Sequence, residues 1–207
     1  MFNIVKAIRG KNVTELADVL RQRLDKLEEK LSAVRVWQLG PSNRKAVHHF
    51  LARLAHHIQQ KAGESSAVGD YLNHTLSSST KPYEVEHIIP SDFKAFEQSF
   101  QTKLEFETMR QRIGNLTLLQ RGVNQSLGAG HFTQKYKVYS TSPLMLSRTL
   151  TSDAYANQPT FSGYIQSSGH PFVSYTEFGP TQVEERSRLY AGLAVEIWGP
   201  ERLKVEL

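Results

Sequence analysis

The sequence contains no cysteine, which excludes disulfide bonds and zinc sites built from cysteine pairs. It also lacks any hydrophobic run of about 18 residues, the length that a membrane-spanning helix requires. The N-terminus does not show the basic and then apolar pattern of a secretory signal. These absences predict a cytoplasmic protein with no membrane partner, whose fold is held together by packing alone.

The composition is that of an ordinary globular protein. The 207 residues are 39% hydrophobic and 22% charged, enough chain for one large domain or two small ones. The formal net charge of +5 favours a salt-sensitive attraction to polyanions such as nucleic acids. The same charge is equally typical of a basic surface with no such partner.

Two helices are predicted in the N-terminal third. Asn12 and Glu15 have the spacing of a capping box, and a stripe of apolar residues, mostly leucines, then runs from Leu16 to Val34. Gly40-Pro41 interrupts this pattern, and Ser42 or Asn43 can cap a second helix. The apolar face of the second helix is formed by Val47, Phe50, Leu51, Leu54 and Ile58.

The second predicted helix also carries two adjacent histidine pairs, at positions 48–49 and 56–57. Their spacing is not the i, i+4 spacing that is usual for zinc ligands on a helix. We therefore expect contacts with phosphate or backbone groups, or plain surface positions, rather than a metal site.

The residues with chemical potential begin in the β-favouring run from Tyr83 to Pro90, where Glu86 stands next to His87. Neighbours in a regular strand point to opposite faces, so both side chains can reach one site only if the strand ends or twists there. Pro90 supports such an ending because it cannot donate a hydrogen bond to a sheet. In isolation, the pair would be a strand end without a chemical role.

Two asparagines downstream change that interpretation. Asn115 precedes a second β-favouring run that ends at Leu119, and Asn124 lies at the start of the next helix. Between the two runs we expect a helix over residues 91–112, with Phe93, Phe96 and Phe100 as core residues rather than stacking platforms. An acid beside an imidazole, followed by oxygen-bearing amides, is what a single-metal phosphodiesterase requires.

The ordered set of Glu86-His87-Ile88-Ile89-Pro90, Gly114-Asn115-Leu116, Asn124, Phe132 and Lys135 resembles the His-Me finger (HNH) nucleases. It is most similar to the C-terminal nuclease domain of GmrSD-type modification-dependent restriction endonucleases. The resemblance implies an α-rich α+β fold, in which a ββα-metal core is wrapped by N- and C-terminal helices. We expect a helical region over residues 1–80, the nuclease core over 81–140, and a loop-rich segment with a C-terminal helix over 141–207, forming one compact domain.

The resemblance also implies roles for individual residues. His87 is expected to act as general base, and Asn115 to fix the loop and orient the imidazole. Glu86 and Asn124 are the expected metal ligands, and hard oxygen donors with an incomplete shell suit Mg²⁺ or Mn²⁺.

Two further residues are candidates for nucleic-acid binding. Lys135 matches a family lysine that can pair with a phosphate, although a simple surface lysine is equally compatible with the sequence. A further asparagine of the family is replaced here by Ala129, which leaves His131 as a substitute phosphate contact.

The predicted function is that of a metal-dependent HNH endonuclease that hydrolyses DNA, with a place in restriction or anti-phage defence. The sequence has no glycine-rich nucleotide-binding loop, so a partner NTPase or sensor subunit or domain is expected unless the chain is a standalone relative. Two alternatives remain open: a catalytically inactive DNA-binding module of a defence complex, and an RNA-directed nuclease.

The C-terminal part is predicted to be scaffold. The segment 152–177 is rich in serine, glycine, proline and aromatic residues and is interpreted as a long loop or a hairpin. An amphipathic helix is expected from Pro180 to Trp198.

Overall fold

The computed structural model describes residues 2–26, 31–65 and 83–203, and this part of the chain is predominantly helical around a small sheet. The strands are β1 (Tyr83–His87) and β2 (Leu116–Gln120). The α-helices are α1 (Phe2–Ile8), α2 (Val13–Asp25), α3 (Arg44–Lys61), α4 (Lys103–Arg110), α5 (Arg121–Leu127), α6 (Phe132–Ser140), α7 (Met145–Arg148), α8 (Pro159–Ser168) and α9 (Pro180–Trp198). Shorter 3₁₀ turns lie at Leu31–Val36, Phe93–Phe96, Ile113–Asn115, Ser152–Ala154 and Pro200–Leu203.

The predicted capping box begins α2. The side chain of Asn12 accepts a hydrogen bond from the backbone N–H of Glu15 (2.9 Å), and the Glu15 carboxylate accepts one from the N–H of Asn12 (3.0 Å). The helix ends at Asp25, earlier than the stripe to Val34 predicts. Residues 27–30 lie outside the described part, and a 3₁₀ turn at Leu31–Val36 follows.

The second predicted helix is confirmed as α3, and its apolar face is buried in the core. Asn43 precedes the helix but does not cap it. Its side chain instead accepts from the N–H of Gly40 (2.8 Å) and donates to the carbonyl of Gln38 (2.8 Å). The turn before α3 is therefore closed by Asn43, which fixes where the helix begins.

The sheet consists of β1 and β2 paired antiparallel, with Glu86 opposite Thr117 and His87 opposite Leu116. Helix α5 follows β2 directly and packs on both strands. The structure thus confirms an α-rich α+β fold with a two-stranded antiparallel sheet.

Two hydrophobic clusters lie on the sheet. The first joins residues of α3 and α9 to Tyr83, Leu116 and Leu118, and the second joins residues of α6 to Leu119 and Ile88. Successive residues of a strand face opposite sides of the sheet, so neighbouring residues of β1 enter different environments.

The structure corrects two predictions about the longer connecting segments. Residues 91–112 do not form one helix, because only Phe93–Phe96 and α4 are helical; the three phenylalanines pack on Phe106, with ring centroids 5.4 to 5.9 Å away. The segment 152–177 is not a hairpin, since it contains α8. That helix starts at Pro159, ends before the left-handed Gly169 (φ 66°), and buries Phe161 and Tyr164.

The predicted C-terminal helix is confirmed as α9, which runs from Pro180 to Trp198 and is buried along much of its length. Among the described residues, no helix combines the length and the apolar character needed to cross a membrane.

Candidate functional site

The side chains of Glu86 and His87 leave β1 on opposite faces, as strand alternation predicts. Glu86 is 6% exposed, and its Oε1 accepts hydrogen bonds from Lys135 Nζ (2.6 Å) and from the hydroxyl of Tyr139 (3.2 Å). Lys135 Nζ also donates to the carbonyl of His87 (2.9 Å). Two residues of α6 therefore hold the end of β1 by its carboxylate and its backbone.

Burial has the largest effect on the pKa of the Glu86 carboxylate. Burial raises the pKa of Glu86, and the ammonium of Lys135 opposes that rise without cancelling it. Burial and the neighbouring Glu86 carboxylate hold the pKa of Tyr139 well above its usual value, so its hydroxyl stays protonated and donates.

The imidazole of His87 contacts Gln111, a residue that the sequence did not indicate as part of the site. Its Nε2 lies 3.1 Å from Oε1 of Gln111, so Nε2 carries the proton when that amide oxygen accepts. The hydrogen bond of the ring to the described part of the chain is made by Nε2, and none is made by Nδ1. Burial, with added repulsion from Arg110, Lys135 and Arg44, lowers the pKa of His87 to about 4. The ring is therefore neutral at pH 7, with an unprotonated nitrogen.

Asn115 links the segment that carries His87 to the segment that carries Gln111. Its side chain is fully buried; Oδ1 accepts from the N–H of Ile89 (2.8 Å) and Nδ2 donates to the carbonyl of Arg110 (2.8 Å). Its own carbonyl accepts from the N–H of Ile88 (2.9 Å). Asn115 thus holds the chain just after His87 and just before Gln111, and its amide can orient the imidazole only indirectly, through these backbone contacts.

Gly114, the residue before Asn115, lies directly against α9. Its N–H donates to the hydroxyl of Ser187 (3.2 Å). A Cβ at this position would overlap the carbonyl oxygen of Val183 and lie 2.6 Å from the backbone nitrogen of Ser187. Glycine is required here by the close approach of two backbones.

Asn124 is half-buried on α5. It follows Arg121 by three residues, which places both on one side of the helix. The guanidinium of Arg121 donates to the Glu84 carboxylate (2.7 Å), so this side faces β1.

The oxygens of Glu86 and Asn124 suit Mg²⁺ or Mn²⁺ in their donor chemistry. However, Oε1 of Glu86 already accepts from Lys135 and Tyr139. In the described residues, no group of three histidine or acidic side chains is arranged to hold a metal. A divalent ion would therefore bind through the second carboxylate oxygen or displace Lys135 from the first, and in either case the ammonium opposes its charge.

The two candidates for nucleic-acid binding stand one helical turn apart, since the N–H of Lys135 donates to the carbonyl of His131 (3.1 Å), but their side chains have different surroundings. Lys135 is 1% exposed and neutralises Glu86, so it is not a surface lysine. His131 precedes α6, stacks on Phe96 (ring centroids 6.0 Å apart) and lines a cleft that includes Pro180. That cleft is lined by neither Glu86 nor His87.

Two of the four histidines of α3, His48 and His57, contact other parts of the fold. His48 Nε2 lies 3.0 Å from the carbonyl of Tyr83, at the start of β1. His57 Nε2 lies 3.1 Å from the Glu196 carboxylate, at ion-pair distance but without hydrogen-bond alignment. His48 thus makes one of the backbone contacts that were expected.

Comparison with known protein families places this chain in the class of nuclease domains of the restriction endonuclease type. The chain belongs to the family described as GmrSD restriction endonucleases, C-terminal domain, whose model matches residues 6–193. No significant match is found among curated proteins or among solved structures. Membership of this family implies that the substrate is DNA.

Proposed function

We propose that this chain is a metal-dependent HNH endonuclease that hydrolyses phosphodiester bonds in DNA, with His87 as its general base. The supporting observation is the state of the imidazole: it is neutral and anchored at Nε2 by Gln111, which leaves Nδ1 as the unprotonated nitrogen when the amide oxygen accepts. A general base needs this combination of fixed orientation and free lone pair.

In the proposed reaction, Nδ1 of His87 takes a proton from a water molecule as its oxygen attacks phosphorus. The bond between phosphorus and the opposite 3′ oxygen breaks, leaving 5′-phosphate and 3′-hydroxyl ends once that oxygen is protonated. Asn115 supports this step by holding Ile89, two residues after His87, and Arg110, which precedes Gln111, so that the imidazole and its amide partner keep their relative positions.

A divalent ion, Mg²⁺ or Mn²⁺, held by Glu86 and Asn124 would stabilise the negative charge that develops on the phosphate and on the leaving oxygen. The ammonium of Lys135, 2.6 Å from Oε1 of Glu86, opposes the charge of such an ion, so we expect weak metal affinity. Accordingly, EDTA should stop cleavage without unfolding the protein.

The experiment is cleavage of supercoiled plasmid in the presence of Mg²⁺, with wild type, His87→Ala and His49→Ala compared. His49 is an exposed histidine on α3 and serves as the matched control. Loss of a general base typically costs about 10²–10⁴-fold in rate. Undiminished cleavage by His87→Ala would refute the assignment.

The same assay separates the two alternatives. An inactive DNA-binding module would bind the plasmid and leave it intact at every metal concentration. An RNA-directed nuclease would cleave structured RNA under conditions in which the plasmid persists.

A role in restriction or anti-phage defence, with a nucleotide-dependent sensor as partner, belongs to the same proposal. It rests on the family alone. Phage plating on cells that express the complete system with wild-type His87 or with His87→Ala tests it, because protection should require the histidine.

A further inference from the structure

We propose that Arg110 and Arg44 form a phosphate-binding pair beside His87, which holds the sugar–phosphate backbone of the nucleic acid next to the general base. The two arginines would bind the substrate of the proposed reaction, so this inference rests on the proposed nuclease function. Its ligand is a phosphodiester group.

Arg110 is a half-buried cation whose ion pair is long. It lies in the last turn of α4, its side chain is 18% exposed, and its Nε is buried without a hydrogen-bond partner in the described residues. Its one ion pair joins NH1 to Glu107 Oε2 at 3.6 Å, which is beyond hydrogen-bond geometry. The long ion pair leaves the terminal nitrogens of this partly exposed guanidinium able to bind a phosphate oxygen.

The backbone of Arg110 is fixed relative to the imidazole. Its carbonyl accepts from Nδ2 of Asn115 (2.8 Å), and the next residue, Gln111, is in contact with Nε2 of His87 (3.1 Å). The guanidinium therefore extends from a chain segment that touches His87 directly.

Arg44 is brought to the same place by a different segment. It is the first residue of α3, is exposed, and has no ion pair or side-chain hydrogen bond with any described residue. The chain before it is bonded to Gln111, because the N–H of Leu39 donates to the Gln111 carbonyl (2.8 Å). Asn43 then closes the turn from which α3 starts.

The charge balance favours an anion at this point. Three cations act on His87, namely Arg110, Lys135 and Arg44. Lys135 is neutralised by Glu86 at 2.6 Å, whereas Arg110 has only the longer pair with Glu107 (3.6 Å) and Arg44 has no ion pair with a described residue. A guanidinium presents paired N–H donors that match the oxygens of a phosphate.

The test measures affinity for a fluorescent DNA duplex in EDTA, where cleavage does not interfere. Arg110→Gln, Arg44→Gln and Arg110→Lys are compared with Arg23→Gln, which removes an exposed arginine from α2. We expect each glutamine variant at the site to bind about 10–100-fold more weakly. Each should also reduce the slope of log affinity against log salt by about 0.9. Arg23→Gln should match wild type, and Arg110→Lys should retain part of the affinity.

The outcomes separate the pair from the nuclease function. If both glutamine variants bind like Arg23→Gln, the pair is refuted, even when His87→Ala abolishes cleavage. If wild type does not cleave but both variants lose affinity, the phosphate site stands and the nuclease proposal fails. Melting curves identify any variant that does not fold; Arg44 is exposed, so Arg44→Gln decides the matter if Arg110→Gln unfolds.

Discussion

Lys135 and Glu86 form a buried ion pair, 2.6 Å between Nζ and Oε1, which joins α6 to the end of β1. The two residues are 49 positions apart in sequence. Since Glu86 is also a proposed metal ligand, the ammonium of Lys135 and a metal ion would lie on one carboxylate, where their positive charges repel each other.

Lys135→Met should destabilise the protein by about 3–5 kcal/mol, because it leaves a buried carboxylate without its counter-charge. Lys137→Met, at an exposed position of the same helix, should have little effect. Thermal melting measures both. If Glu86 is a metal ligand, Mn²⁺ should raise the melting temperature of Lys135→Met more than that of wild type. Equal shifts in the two proteins would remove Glu86 from the proposed metal site.

Asn115→Ala and Asn124→Ala should both lose cleavage activity, but for different reasons. Asn115→Ala leaves the buried N–H of Ile89 and the carbonyl of Arg110 unpaired, at a cost of about 1–3 kcal/mol, and no metal concentration should restore activity. Asn124 is half-buried on α5, so Asn124→Ala should melt like wild type and recover part of its activity in high Mn²⁺. Metal titrations beside melting curves test both variants, and rescue of Asn115→Ala alone would reverse the two roles.

Gly114→Ala should destabilise the protein by about 1–3 kcal/mol or more, since the added methyl group overlaps the backbone of α9. Activity should fall with stability, because the displaced turn carries Asn115. Gly122→Ala is the matched control. Its Cβ would meet no atom within 4 Å, and alanine favours the helix α5 in which it lies. Equal melting temperatures for Gly114→Ala and wild type would contradict the close approach.

Acid should weaken the network around Glu196, which joins α9 to α3 and α8. Burial opposes ionisation of Glu196, but hydrogen bonds from Tyr164, His170 and Lys61 outweigh it and lower its pKa to about 2. A lowered carboxylate pKa contributes stability above its ordinary value of 4.5, and this contribution is lost as pH falls from 4.5 towards about 2. Burial likewise lowers the pKa of His57 below 6.5, so the unfolded state binds more protons in acid.

Melting temperature should therefore fall more steeply below pH 4.5 in wild type than in Glu196→Gln, which cannot titrate at this position. Parallel curves for the two proteins over that range would show that the network does not contribute.

The sequence determined the local elements and the ordered set of site residues. The capping box of Asn12 and Glu15, the buried faces of α3 and α9, and the two short strands depend on spacing along one stretch of chain. The family could be predicted for the same reason, because its motif is an order of residue types, and the matching family model confirms it. Where composition was the only guide, as in residues 152–177, the prediction was wrong, since burial of Phe161 and Tyr164 stabilises a helix there.

Only the tertiary structure decided which partners these residues take. Gln111 lies 24 positions from His87, and nothing in the local sequence marks it as the partner of the imidazole. The pairing of Lys135 with Glu86 and the contact of Gly114 with α9 likewise join distant segments. Such contacts are set by how helices pack on the sheet, where a buried charge or N–H must find a partner across space. The sequence supplies the groups, and the packing selects which of them meet.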